Sequence, residues 1–302
     1  MTILLTWWIP IKTYRRSIRN ILLMGPINYW RTRRTDRTRT FKHTLGVVAI
    51  MKNEGPYIKE WLDYHIAAGV DMFYLYDNDS DDNTTEILAP YIKRGIVELT
   101  HISGEKRQND AYIDAIKRHR NDMRWMARID LDEFIVTPNH DHIMDFINSI
   151  PGHFSQIIMT WVCYGNSGHI TAPHGLVIEN YKHHETHFHG IKSIANPRMV
   201  VRQSNPHQVD VAGFTVDENG RHLGRINQTN NPPPCKKIRC NHYVTKSYQE
   251  FRDRCLKGGG SGGREYGMRK LKRFDVLNTN DVYDDVMDRW IVKIKNETTN
   301  SD

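Results

Sequence analysis

The stretch LGVVAIMKNEGPYIKEWLDYHIAAGVDMFYLYD, residues 45–77, decides the fold. It opens on a continuous, β-branched apolar run, the pattern of a strand buried on both faces. Ile58, Trp61, Leu62, His65 and Ile66 then recur at i, i+3, i+4, i+7 and i+8, which is one face of a helix. Pro56 suits the first helical turn and Gly69 the stop. DMFYLYD, residues 71–77, is aromatic-rich and strand-like. A strand, a helix and a strand of these lengths imply two parallel strands joined by a right-handed crossover.

The same alternation continues downstream. Asn83 and Glu86 have capping-box spacing for a short helix, which Pro90 and Gly95 should end. IVELTHI (96–102) predicts a third strand, NDAYIDAIKRHR (109–120) a helix and WMARID (125–130) a fourth strand. The expected fold class is therefore α/β, a mostly parallel sheet flanked by helices. Further on, SQIIMTWVCYG (155–165) and RMVVRQ (198–203) look strand-like, and 216–236 is a long excursion. Residues 238–257 predict strand, turn and helix. A last helix is expected over 281–295, with Val282, Val286, Trp290 and Ile291 on one side.

Ligands of such sheets bind beyond the carboxyl ends of the strands. That rule selects Lys52, Asn53 and Glu54 after the first strand, DNDSDDN (77–83) after the second, and DLDEF (130–134) after the fourth. Three polar clusters should meet on one rim. Unpaired buried carboxylates are costly, so Asp130, Asp132 and Glu133 need a partner. Asp130 and Asp132 form a D-x-D pair that could hold Mn²⁺ or Mg²⁺ together with diphosphate oxygens. Glu133 should point away from Asp132 if the strand continues. Asp77, Asp79 and Asp81 begin a calcium-loop pattern that fails at Asp82 and Leu88. Asp77 better suits hydrogen bonds from a ribose or base.

The net charge is +7 over 302 residues, which suits an anionic partner. Residues 12–38 hold much of the excess and a single acid, Asp36. The expected organisation is a basic N-terminal segment (1–42), one α/β domain (43–260), and a flexible Gly-rich break with a C-terminal helical extension (261–302). GGGSGG, 258–263, reads as a linker or lid. Trp7 and Trp8 beside the basic segment suggest peripheral contact with an anionic membrane surface, with the protein cytoplasmic on the inner face of the plasma membrane. Four cysteines without a CxxC pair fit a reducing compartment. HHETHFHG, 183–190, lacks the companion spacing of a zinc site and reads as an acceptor-side loop.

Several ordered motifs also carry a family resemblance: residues 49–84, RQNDAY (107–112), RIDLDEFI (128–135), WVCYGNSGH (161–169), KSIANP (192–197) and NHYVTKS (241–247). Together they resemble bacterial glycosyltransferases related to families 2 and 92, over about residues 43–260. The resemblance implies a GT-A (Rossmann-like) nucleotide-sugar-binding fold. It implies metal-dependent sugar transfer from a nucleotide-sugar, above all a UDP-sugar, to a glycan or glycolipid acceptor in cell-surface polysaccharide synthesis. Carried onto this chain, Asp130, Asp132 and His242 become the metal residues. Asn53, Glu54, Asp77, Gln108, Asp130, Lys192 and Lys246 become the donor-binding residues.

No catalytic base stands out. Glu179, Glu185 and Asp210 qualify by position only. One alternative is a sugar-phosphate nucleotidyltransferase, but MKNEGPY lacks the Gly-rich basic loop that activity needs. A basic nucleic-acid-binding or adaptor protein is the other. Acids at three strand ends would repel phosphates, so nucleic acid is not the expected partner.

Overall fold

The computed structural model describes residues 12–203, 205–224, 232–257 and 259–299. Four parallel strands, β1 (His43–Met51), β2 (Met72–Asp77), β3 (Val97–His101) and β4 (Met123–Arg128), lie in the order β3-β2-β1-β4. Their crossovers are α3 (Gly55–Ala67), α4 (Thr84–Lys93) and α5 (Gln108–His119). Beyond β4 the sheet runs through β8 (Ile191–Ala195), β6 (Gln156–Cys163), β12 (Arg239–His242) and β5 (Glu133–Val136). Here β8 is antiparallel to both β4 and β6, β12 parallel to β6, and β5 antiparallel to β12. A short β11 (Thr215–Val216) also joins β6.

One consequence follows from the connection between β4 and β5. In a flat sheet these strands would lie four spacings apart, about 19 Å. The chain instead joins them by a tight turn, closed by a 3.1 Å bond from the Glu133 N–H to the Asp130 carbonyl. Such a turn spans under about 7 Å. The sheet must therefore curl until β5 returns beside the end of β4. The acidic stretch 130–133 sits at that closure, a turn and not the straight strand end the sequence suggests.

The outer edge of β5 is covered by side chains of α3. Trp61 Nε1 donates to the Glu133 carbonyl at 2.8 Å, and the Tyr64 hydroxyl to the Ile135 carbonyl at 2.9 Å. His65 Nε2 lies 3.3 Å from the Ile135 amide, and its Nδ1 2.8 Å from the Trp61 carbonyl. Burial lowers the His65 pKa to about 3. The ring is neutral, so Nδ1 donates and Nε2 accepts. The apolar face predicted for this helix thus also supplies the polar groups that satisfy an edge strand.

The core lies on both faces of the sheet. On one face α3, α6 (Ile143–Ser149), α7 (Val177–Asn180) and α11 (Asp288–Thr299) bury Trp61, Phe134, Phe146, Ile178 and Trp290. On the other, α5 and the ribbon β9 (Val200–Gln203) with β10 (Val209–Val211) bury Val48, Tyr74, Tyr112 and Met126. Two N-terminal helices, α1 (Lys12–Met24) and α2 (Pro26–Thr38), pack on that second face. Tyr29 enters its core, Asn20 Nδ2 donates to the Val211 carbonyl at 2.9 Å, and Asp36 pairs with Arg198 at 2.6 Å.

Four local expectations change. Pro90 lies inside α4, which runs on to Lys93 before Gly95 turns at φ +72°. Asn83 makes no side-chain cap; Asp82 accepts the Thr84 N–H at 3.0 Å instead. Most of the glycine run falls in α9 (Gly259–Leu271), which packs on α8 (Tyr248–Lys257), so a linker is not what forms there. Gly267 is required at that crossing, because a Cβ would strike the Cys255 carbonyl. The terminal helix starts at Asp288, not 281. Val282 sits in β13 (Val282–Tyr283), paired with β7 (His183–His184), after a short α10 (Phe274–Leu277).

Candidate active site

The turn at 130–133 places its three acids differently. Glu133 bends back and accepts the Asp130 N–H on Oε2 at 3.0 Å. The same oxygen lies 3.1 Å from Lys192 Nζ, and both side chains are fully buried. Lys192 also reaches Asp130 Oδ2 at 3.0 Å. The other Asp130 oxygen accepts from Gln108 Nε2 at 2.6 Å and from the Tyr112 hydroxyl at 3.3 Å. One ammonium thus serves two carboxylates. Burial disfavours the Lys192 charge, but Asp130 and Glu133 hold its pKa well above the ordinary lysine value. Burial pushes Glu133 well up, which Lys192 only partly offsets.

Asp132 faces the other way. Its Oδ2 lies 2.8 Å from Arg254 Nη1 on α8 and 3.5 Å from His242 Nε2 on β12. Arg254 is held in turn by the Val244 carbonyl. Burial would raise Asp132, but His242, Arg254 and Lys246 keep it well below the usual carboxylate range. Register explains the meeting: His242 stands opposite Glu133 across β12–β5 and opposite Cys163 across β12–β6. The Trp161 ring lies 4.6 Å from the His242 ring. Gly190, at φ +111°, lets the chain pass that indole, where any Cβ would collide.

Asp132, Glu133 and His242 each offer one ligand atom within 4.8 Å of the others, the one such grouping among the described residues. Glu133 Oε1 is buried and has no hydrogen-bond partner. Two carboxylates and an imidazole within reach of one another, one of the carboxylates with an unsatisfied buried oxygen, fit a divalent cation of the Mn²⁺ or Mg²⁺ type. The expected set was Asp130, Asp132 and His242. The structure gathers two of these and puts Glu133 in place of Asp130, whose oxygens go to Lys192, Gln108 and Tyr112. The side chain expected to point away is the one that converges, because a turn does not alternate as a strand does.

Of the residues expected on the nucleotide side, Glu54 and Lys246 interact electrostatically with Asp132. Glu54 sits at the start of α3; burial raises its pKa to about 7, with Lys246 pulling the other way. Lys246 has a left-handed φ of +51°, and its Nζ lies 3.2 Å from the centre of the Tyr57 ring. Burial lowers its pKa. Asn53, at φ +57°, receives the Asp81 N–H at 2.8 Å and ties the first rim loop to the second. Asp77 is buried and accepts the Ser80 N–H at 3.3 Å.

Only one base candidate has electrostatic contact with this cluster. Glu185 accepts the Cys163 N–H at 3.2 Å and lies 3.2 Å from His189 Nδ1; burial raises its pKa, with His189 and His242 opposing. Glu179 pairs with Lys295 at 2.7 Å, and Asp210 is clamped between Arg16 and Arg202, each at 2.8 Å. His183 and His184 lie in β7 and gather no metal set.

Arg254 and Tyr112 are the site residues the sequence did not single out, and Glu133 the one whose direction it misjudged. A signal for Arg254 existed. SYQE, 247–250, is a capping box in which Ser247 accepts the Glu250 N–H at 3.2 Å and Glu250 the Ser247 N–H at 3.0 Å. It starts α8 at Tyr248 and brings Arg254 to the rim.

The sequence profile of glycosyltransferase family 92 matches residues 48–257. The chain belongs to that family. A family 92 protein of Oryza sativa subsp. japonica is 24% identical over 215 residues, 70% of this chain and 35% of the relative. Galactan beta-1,4-galactosyltransferase GALS3 of Arabidopsis thaliana is 24% identical over 151 residues, 44% of this chain and 30% of the relative. This family 92 chain thus spans about a third of the length of such relatives. These curated relatives are plant proteins, so the bacterial label in the expected resemblance gains no support. Among solved structures, Staphylococcus aureus TarS matches with a TM-score of 0.36 at 12% identity, over 78% of this chain and 71% of that one. A Mycobacterium tuberculosis glucosyl-3-phosphoglycerate synthase with Mn²⁺ and UDP matches with a TM-score of 0.28 at 16% identity, over 39% and 44%. The observed fold is of the α/β class expected from the sequence: a curled, mostly parallel sheet with polar clusters at the strand ends.

Proposed function

We propose that this family 92 domain transfers a hexose from a nucleotide-sugar, a UDP-sugar, to a hydroxyl of a glycan or glycolipid, with Mn²⁺ or Mg²⁺ held by Asp132, Glu133 and His242. The observation that carries this reading is the gathering of Asp132, Glu133 and His242 just beyond the end of β4, with one oxygen of the buried Glu133 carboxylate left without a hydrogen-bond partner. The names of the galactan galactosyltransferase relatives support the hexosyl class.

Each residue's part follows from its surroundings. Asn53, Glu54 and Asp77 line the ends of β1 and β2, where a nucleoside would offer ribose hydroxyls and base N–H groups. Lys246 and Arg254 place fixed positive charge beside the clamp, where a leaving diphosphate gains charge. Gln108 and Tyr112 lock Asp130, and Lys192 locks the turn, so Asp132 and Glu133 need no reorganisation to act. A bound cation would offset the charge of the departing diphosphate. Glu185 is the proposed base for the acceptor hydroxyl, since a carboxylate with a raised pKa takes a proton more readily.

The test is donor turnover across a panel of nucleotide-sugars with Mn²⁺ present. Asp132→Asn should abolish it while the fold persists, and unchanged turnover would remove the clamp. Glu185→Gln should lower kcat by about 10²–10⁴ and leave UDP binding intact. Full activity in that variant would take away its role as base.

A further inference from the structure

The α1–α2 hairpin divides its residues between two sides. Toward the domain it sends Arg16 to Asp210 at 2.8 Å, Asn20 to the Val211 carbonyl, Tyr29 into the core, and Asp36 to both Arg198 and Asn196 at 2.6 and 2.7 Å. At 100° per residue Tyr29 and Asp36 share one side of α2, while Ile27, Trp30, Arg31 and Arg34 fall roughly opposite. The exposures agree: Leu23, Ile27 and Trp30 are 57%, 77% and 60% exposed, and Arg31 and Arg34 are exposed too. Arg33 lies 5.1 Å over the Trp30 ring. Asp36, the only acid of residues 12–38, is turned inward and neutralises nothing on the outer side.

Large apolar side chains at a helical corner, flanked by arginines with no acid between them, match a lipid surface of negative charge. A water-facing surface explains the arginines but not Ile27 and Trp30. Among the described residues no helix is long and apolar enough to cross a membrane, so the feature is one that lies on a surface.

We propose that the outer side of the α1–α2 hairpin docks on an anionic phospholipid surface, with Leu23, Ile27 and Trp30 entering the headgroup boundary and Arg31 and Arg34 pairing with lipid phosphates. Tyr29 and Asp36 hold the hairpin on the domain, so docking fixes the orientation of the whole sheet against the bilayer. The proposal does not depend on the metal clamp or on the sugar chemistry.

Vesicle cosedimentation of the full chain tests it, with phosphatidylcholine alone and with phosphatidylglycerol added. The chain should sediment with the anionic vesicles, and salt should release it. Ile27→Glu with Trp30→Glu should abolish binding. Arg31→Gln and Arg34→Gln together should weaken it roughly thirtyfold. Circular dichroism should show the same fold in all of them, since Ile27, Trp30, Arg31 and Arg34 are exposed. Equal sedimentation of the Ile27/Trp30 variant would overturn the proposal. So would absence of anionic-vesicle binding by the natural chain, including the case where the patch instead drives a concentration-dependent dimer.

Discussion

Glu133 and Lys192 are fully buried and 3.1 Å apart, and Asp130 completes the group. Removing the one cation leaves two carboxylates without a counter-charge. Lys192→Met should therefore destabilise the fold by about 3–5 kcal/mol, read from denaturant unfolding. Adding Glu133→Gln to that variant should recover part of the loss, since it removes a buried charge. If the two changes simply add, the residues are not coupled and the reading of the turn fails. Glu54 supplies a pH signature. Its folded pKa of about 7 lies above the ordinary glutamate value, so the folded state binds the proton more tightly than the unfolded one. Its contribution is present at pH below about 4.5 and is lost as pH rises through about 7. Glu54→Gln should thus gain stability relative to the natural chain across that window, by no more than about 3 kcal/mol. A flat difference between the two melting profiles from pH 4.5 to 7.5 would contradict the burial assigned to this carboxyl.

At the scale of elements, α8 and α9 carry Arg254 to the rim. Ser247→Ala removes the cap of α8 and should cost about 1 kcal/mol. Gly267→Ala should cost more, because its new Cβ meets the backbone of Cys255 and one helix must shift. Both variants should also lower UDP affinity through Arg254, measurable by calorimetry with Mn²⁺ present; unaltered affinity in Gly267→Ala would detach α9 from the site. The sequence makes β1 through β4 and their helices legible, since apolar runs and a 3.6-residue period are local signals. The rim clusters KNE, DNDSDDN and DLDEF follow from parallel order alone. Glu133 was misplaced because a two-residue alternation was extended through what folds as a turn. Arg254 stands 122 positions from Asp132, and nothing local in sequence joins them. The glycine run misled because each Gly costs a helix about 1 kcal/mol, a local cost that does not register the packing of α9 on α8.

For the whole molecule, the curl of the sheet is the organising feature. It brings Lys192 from β8, His242 from β12 and Glu133 from β5 to the end of β4, so residues far apart in sequence share one cluster. The proposed chemistry draws on two separate observations: a glycosyltransferase profile over residues 48–257, and the gathering of Asp132, Glu133 and His242 with Arg254 beside Asp132. The measurement that tests this most directly is thermal unfolding of the full chain with UDP, with and without Mn²⁺, in the natural chain and in Asp132→Asn and Glu133→Gln. The account predicts that UDP near a hundred times its Kd raises the Tm of the natural chain by about 5 °C only when Mn²⁺ is present, and raises neither variant. Equal protection by UDP without Mn²⁺, or undiminished Mn²⁺-dependent protection in both variants, would contradict it.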